Sequence, residues 1–214
     1  MKTLTIPLAE ALGIIRDEGE DALSSLLACA VKTSIDGFEC AKSDFHVNFL
    51  KDKALKYHTD EVSKTYLVMN ADVFSDVLND NTDADLDRLI VAYFNVGVSS
   101  LVLTSHGFTK KRQGRIRGRM FTRDDSVGCY VIGSLCRSDR YSKDDLSGFD
   151  ILKMCLAVIK DAQKMVGGSF VLVESRRAVF ESMYAKAGFE ELYVSANKTG
   201  DGAEMIVSGV SIAK

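Results

Sequence analysis

The stretch that decides the fold is CYVIGSLCRSDRYSKDDLSGFDILKMCLAVIKDAQKMVGGSFVLVE, residues Cys129–Glu174. Its first eight residues, Cys129–Cys136, form a buried-strand pattern. The polar bend Ser138–Asp145 follows, and Ser147 or Gly148 then opens a helix over Phe149–Val166. Phe149, Leu152, Leu156, Ile159, Ala162 and Val166 make one apolar stripe along that helix, broadened by Ile151, Met154, Val158 and Met165. A helix so apolar is mostly buried. Gly167-Gly168 stops it, and Ser169–Glu174 is again a strand. Strand, helix and strand make a βαβ unit with two parallel strands and a right-handed crossover.

Downstream, Arg176–Ala187 reads as a helix ending at Gly188. Phe189–Val194 and Ala203–Val210 are strands with a short polar connection, hence an antiparallel hairpin. Upstream, Ala9–Arg16 and Asp21–Val31 carry helical spacing, and Asp44 is placed to cap a helix running to about Tyr57. Thr65–Met69 and Leu89–Leu103 have strand character. Ser75–Asp87, rich in Asp, reads mostly as a loop or rim. Lys110–Arg119 holds six basic residues in ten without apolar periodicity and reads as an exposed loop. The fold class is therefore α/β (α+β in some schemes), with a mixed sheet flanked by helices.

A length of 214 residues suits one domain. Lys+Arg 27 against Asp+Glu 30 leaves a net charge of -3, which is no global nucleic-acid signature. No apolar run approaches the ~20 residues of a membrane span, and Met1–Pro7 lacks the apolar core of a signal peptide. The five cysteines, Cys29, Cys40, Cys129, Cys136 and Cys155, are odd in number and show no CxxC spacing. That argues against a metal centre and a disulfide framework, and for a reduced, cytoplasmic protein with cysteines used in packing.

Two segments carry candidate chemistry. The bend Arg137–Gly148 lies between a strand end and a helix N-terminus, where unpaired N–H groups and the helix dipole suit a phosphate. Taken alone, it reads first as a solvated loop with Ser147 as N-cap. In Ser182–Phe189, a helix end, a glycine and an aromatic strand start follow one another. There Tyr184 reads first as a core ring with its hydroxyl bonded to backbone.

Together these segments resemble the GCN5-related N-acetyltransferase (GNAT) superfamily. Tyr184-Ala185-Lys186-Ala187-Gly188-Phe189 matches its Tyr-x-x-x-Gly-Phe signature. Leu146–Leu152 lies where the family has its pyrophosphate motif: Lys143 and Gly148 match the first and last positions, and Leu146 replaces the first glycine. The resemblance covers about Tyr130–Val210 and more loosely Phe49–Met69, the latter similar to GNAT-like proteins of bacterial and phage genomes. It implies a mostly antiparallel sheet with a central, splayed parallel strand pair. It implies one domain over 1–214: a helical part (1–64), strands and loops (65–136), then the CoA-binding βα unit and hairpin (137–214). Acetyl-CoA would lie with pantetheine along Leu135, Cys136 and Arg137 and its pyrophosphate on the N–H groups around Lys143, Leu146, Ser147, Gly148 and Phe149. Tyr184 would protonate the departing CoA thiolate. No metal is implied.

Glu174 at a strand end is a candidate base, though such a residue commonly serves as a solvated or capping group. His46, His58 and His106 stand alone in sequence and read as surface or packing residues. Lys110–Arg119 admits a solvated loop, contact with RNA (some GNAT relatives modify aminoacyl-tRNA), or recognition of an acidic partner or the 3′-phosphate of CoA. The expectation is an N-acetyltransferase moving acetyl to a primary amine. Its alternatives are a GNAT-like interaction module with a decayed cofactor site and an RNA-directed acetyltransferase. The acceptor has no motif, no membrane partner is implied, and a homodimer is compatible with the reading.

Overall fold

The computed structural model describes residues 1–14, 22–117, 125–198 and 202–212. In chain order the elements are β1 (Thr3–Pro7), α1 (Leu8–Ala11), α2 (Ala22–Asp36), α3 (Asp44–Asn48), α4 (Ala54–Thr59), β2 (Ser63–Asn70), α5 (Ala71–Leu78), β3 (Ile90–Val102), α6 (Lys110–Arg117), β4 (Ser126–Arg137), α7 (Gly148–Val166), β5 (Phe170–Arg176), α8 (Arg177–Val179), β6 (Glu190–Lys198) and β7 (Glu204–Ser211). Phe49–Lys53 and Phe180–Tyr184 are π-helical turns, and Leu86–Arg88 and Ala185–Ala187 are 3-10 turns.

The seven strands form one mixed sheet in the order β1-β2-β3-β4-β5-β7-β6. β4 and β5 are parallel over Tyr130↔Val171 to Ile132↔Val173, as the βαβ reading requires. β1/β2, β5/β7 and β6/β7 are antiparallel. The hairpin returns so that β7, not β6, lies beside β5.

The chain divides into two compact units, Met1–Asn95 with Ser134–Cys155, and Val96–Gly133 with Leu156–Lys214. In the first, α2 and the turns around α3 and α4 pack Val31, Phe38, Phe49 and Leu50 on Leu67, Met69, Ile90 and Tyr93 of the strands. Tyr93 meets Phe38 edge-on and stacks on Phe49, with ring centroids 5.7 and 6.3 Å apart. Buried polar groups here are paired: Ser34 Oγ accepts the Ile90 N–H (3.3 Å), and Asn95 donates to Thr65 (3.0 Å) and Ser63 (2.8 Å). In the second unit, Leu101, Leu103, Phe108, Ile116, Phe170, Leu172, Leu192 and Val207 form the core. A methyl added at Gly209 would stand 2.5 Å from a ring carbon of Phe170 and 3.1 Å from a Leu172 methyl. Gly209→Ala is therefore expected to cost about 1–3 kcal/mol by overpacking. Gly114→Ala, which meets nothing within 4 Å in α6, is expected to stabilise by up to about 1 kcal/mol. Urea denaturation of both variants checks the pair.

Several local expectations change. Ser43, not Asp44, caps α3, because its Oγ accepts the His46 N–H. The acidic stretch begins as helix: Asn70 accepts the N–H groups of Asp72 and Val73 and starts α5, which runs to Leu78. β1, next to the helical N-terminal region, pairs with β2 from Thr3↔Asn70 to Pro7↔Tyr66. The reading of Ala9–Arg16 as helix holds only to Ala11, with 15–21 outside the described residues.

Candidate active site

β4 passes its last pair with β5 at Ile132 and runs on to Arg137. The bend that follows is tied to the first unit by its own backbone. Ser138 N–H donates to Val91 O and Asp139 N–H to Glu39 O, both at 2.9 Å. The buried Tyr141 donates its hydroxyl to Arg88 O and accepts from Asn70 Nδ2 at 3.1 Å. Ser142 and Asp145 close a tight turn: Asp145 Oδ2 accepts both the N–H and the hydroxyl of Ser142, each at 2.8 Å, and Ser142 Oγ accepts the N–H groups of Asp144 (3.2 Å) and Asp145 (3.3 Å). Those bonds hold the Asp145 carboxyl below its usual range. Leu146 is buried, gives its N–H to Ser142 O (3.3 Å), and its carbonyl accepts Arg137 Nη1 (2.8 Å).

Ser147 caps α7 reciprocally. Its Oγ accepts the Asp150 N–H (3.2 Å), and its hydroxyl donates to Asp150 Oδ2 (2.7 Å). That hydroxyl, followed by Lys153, lowers the Asp150 pKa. Donor accounting then becomes sharp. Among the described residues, every N–H from Ser138 to Ile151 finds a partner except those of Lys143, Ser147, Gly148 and Phe149. Three of the four are consecutive at the first turn of a 19-residue helix. Backbone donors so aligned, at the positive end of the helix dipole, suit an anion of phosphate type. Lys143 is exposed, while Leu135 and Arg137 are half-buried and Cys136 is buried.

The signature Tyr184–Phe189 is a distinct piece of geometry in the second unit. Tyr184 closes the π-helical turn and is buried, its ring edge-on to Phe189 with centroids 5.3 Å apart. Phe189 N–H returns to Tyr184 O at 3.0 Å. Gly188 between them has φ of 89°, a left-handed value that favours glycine. Glu174 lies exposed on β5, opposite Val207 of β7. Burial first, and the Glu174 charge second, raise the pKa of Tyr193.

The three histidines separate by environment. His58 is buried, its Nδ1 accepts the Thr65 N–H at 3.2 Å, and burial lowers its pKa, so it is a neutral structural residue. His106 is exposed and stacks on Tyr193 with centroids 3.6 Å apart. His46 lies with Nδ1 3.3 Å from Ser134 Oγ on β4. Sequence gave no sign of that juxtaposition, since 88 positions separate the two. Cys40 and Cys136 share the core of the first unit. The Cys136 thiol pulls Cys40 down to about 6, while Cys136 is itself pushed far up by that neighbour and by burial.

Lys110–Arg117 is a helix rather than a loop. Thr109 accepts the Arg112 N–H (3.3 Å), Ile116 is buried, Arg112 donates to Glu191 O, and Arg115 pairs with Glu190 at 3.1 Å. With a single apolar anchor, it shows no periodicity in sequence. Residues 118 and 119 of the basic run lie outside the described residues. Among the described residues no group of His, Cys, Asp and Glu is arranged to hold a metal, and no helix is long and apolar enough to cross a membrane.

The mixed sheet, its parallel β4–β5 pair and the helices around them make a GNAT fold. Solved structures of bacterial toxins share it. A tyrosine-to-phenylalanine mutant of KacT matches with a TM-score of 0.64 and 14% identity, over 99% of this chain and 96% of that one. A structure described as a bacterial toxin gives 0.61 and 14% over 99% and 91%. AtaT complexed with acetyl-methionyl-tRNAfMet gives 0.56 and 14% over 96% and 94%. No family model matches the chain, and no curated protein matches its sequence.

Proposed function

We propose that this chain is an N-acetyltransferase that moves acetyl from acetyl-CoA to a primary amine, with residues 1–214 acting as one catalytic domain. The observation that carries the reading is the row of N–H groups at Ser147, Gly148 and Phe149, with Lys143 beside it, which suits a pyrophosphate. The GNAT fold supports it, and AtaTR, of similar structure, has been solved with acetyl-CoA bound. Leu135, Cys136 and Arg137 would offer their backbone to pantetheine, and Arg137, bonded to Leu146 O, fixes the start of the bend. The cofactor would supply the activated acyl thioester. Tyr184 would give its proton to the CoA thiolate, a transfer suited to a phenol. We place the reaction in the cytoplasm, where thiols stay reduced. Isothermal titration with acetyl-CoA tests the reading: binding is expected, and no heat at millimolar ligand sinks it.

A second reading concerns the acceptor, an aminoacyl-tRNA. Lys110 and Lys111 are exposed at the start of α6. His106, exposed and stacked on Tyr193, adds an aromatic face of the kind on which bases stack. AtaT has been solved with an acetylated aminoacyl-tRNA. Binding of initiator methionyl-tRNA is expected to weaken steeply with salt, and Lys110→Ala/Lys111→Ala to flatten that slope. A slope unchanged by the double substitution removes α6 from the contact.

A further inference from the structure

Two free thiols meet inside the first unit. Cys40 lies between α2 and α3, and Cys136 is the penultimate residue of β4. Both belong to the same buried core cluster, 8% and 4% exposed. The bend after β4 grips the chain on either side of Cys40. Asp139 donates its N–H to Glu39 O at 2.9 Å, and its Oδ2 accepts the Ala41 N–H at 2.5 Å. Asp139 stands three residues beyond Cys136, so Cys40 is held against the end of β4 between two anchored neighbours. Tyr93 of the same cluster touches the pair electrostatically: burial first, then Cys136 and Cys40, push its phenol up.

The two thiols are not equivalent. Cys136 first, with the backbone at Lys42 and Ser43, holds Cys40 down to about 6 against burial and the Asp139 carboxylate. Cys40 first, then burial, push Cys136 far up. Burial also pushes Cys129 up to about 11 and Cys155 far up. The pair therefore holds one thiolate beside one thiol. A thiolate is the form that oxidants attack, and a neighbouring thiol resolves the product as a disulfide.

We propose that Cys40 and Cys136 form a redox switch, in which hydrogen peroxide closes a disulfide between them and turns off acetyl-CoA binding. The control of binding rests on the acetyltransferase reading. The Cys40 sulfur attacks one peroxide oxygen, so that an S–O bond forms as the O–O bond breaks, and the departing hydroxide takes a solvent proton. The Cys136 sulfur then attacks the sulfenic sulfur of Cys40. The S–S bond forms as the S–O bond breaks, and the Cys136 proton leaves with that oxygen as water. The two sulfurs lose two electrons, and the peroxide is reduced to two waters. Closing the bond draws the sulfurs inside van der Waals contact. Because Asp139 anchors both neighbours of Cys40, the end of β4 must shift. Leu135, Cys136 and Arg137 are the residues that would pair with pantetheine, and hydrogen bonds weaken steeply as their geometry is lost.

The test uses the full chain carrying Cys29→Ser, so that the exposed thiol cannot link two molecules. After hydrogen peroxide, peptide mapping without reductant is expected to show Cys40 joined to Cys136 and the chain lighter by two hydrogens. Acetyl-CoA affinity by calorimetry should fall at least about tenfold, the loss of one or two ordinary hydrogen bonds, and return with dithiothreitol. Adding Cys40→Ala is expected to leave binding as in the parent, before and after peroxide. Adding Cys136→Ser removes the resolving thiol and should carry Cys40 on to the sulfinic acid. A parent whose Cys40 and Cys136 stay reduced, or whose affinity survives the disulfide, overturns the switch while the acetyltransferase reading stands. Equal peroxide sensitivity in Cys40→Ala does the same. A reduced parent that binds no acetyl-CoA overturns the control of binding together with the acetyltransferase reading, and the peptide map still decides the disulfide.

Discussion

Tyr184→Phe is expected to lower acetyl transfer about 100- to 1,000-fold, the range a general acid commonly supplies, with acetyl-CoA affinity unchanged. The variant deletes one oxygen. The ring contact with Phe189 at 5.3 Å and the turn closed by the Phe189 N–H on the Tyr184 carbonyl both survive it. Loss of folding is therefore not the expected outcome, and circular dichroism with a melting curve checks that directly. If the phenol gives its proton to the thiolate, the loss appears in kcat and not in the dissociation constant, because the thiolate exists only as the C–S bond breaks. The fall should shrink for a thioester whose leaving thiol is more acidic. Full turnover in Tyr184→Phe would return the residue to the packing role its burial also fits.

Gly148→Pro is expected to weaken acetyl-CoA binding about 10- to 100-fold. A hydrogen bond to a charged group is worth about 1.5–3 kcal/mol, and about 1.4 kcal/mol corresponds to tenfold. Gly148 is the first residue of α7 after its cap Ser147. Proline is well tolerated there, since the first helical N–H has no partner inside the helix. The extended backbone usual at an N-cap also suits the residue before a proline. The substitution thus removes one donor from the row and leaves the helix. Gly148→Ala keeps the N–H and is expected to bind nearly as wild type. Equal affinity for both variants, measured by calorimetry, would show that the pyrophosphate does not rest on this turn.

Both substitutions act on features visible in the sequence. The Cys129–Glu174 pattern gives strand, cap, helix, glycine stop and strand in order, because each signal is local: an apolar run, a Ser three residues ahead of an Asp, a stripe at helical spacing. Tyr184–Phe189 is equally local, since Gly188 meets the left-handed turn at its own position. Where the stabilising partner is distant, the pattern falls silent. Helix α6 exists through Ile116 in the core and arginine contacts to Glu190 and Glu191, more than 70 positions away. Asn70 opens α5, which runs on into the start of what reads as an acidic loop, since a cap outweighs composition over eight residues.

The sequence by itself determined the α/β class, the parallel strand pair, the helix start that suits an anion and the tyrosine signature, all set by short-range periodicity and turn chemistry. Only the tertiary structure decided which donors remain for a ligand. Proline-free, the bend could offer every N–H from Ser138 to Phe149, yet among the described residues Val91, Glu39, Ser138 and the Ser142–Asp145 turn take eight of the twelve and leave four. It also brought His46 to Ser134 and Tyr93, three residues on a helix and two strands. A hydrogen-bonded cluster of groups so far apart in the chain has no period to betray it. It is fixed when burial forces each polar group to find its partner.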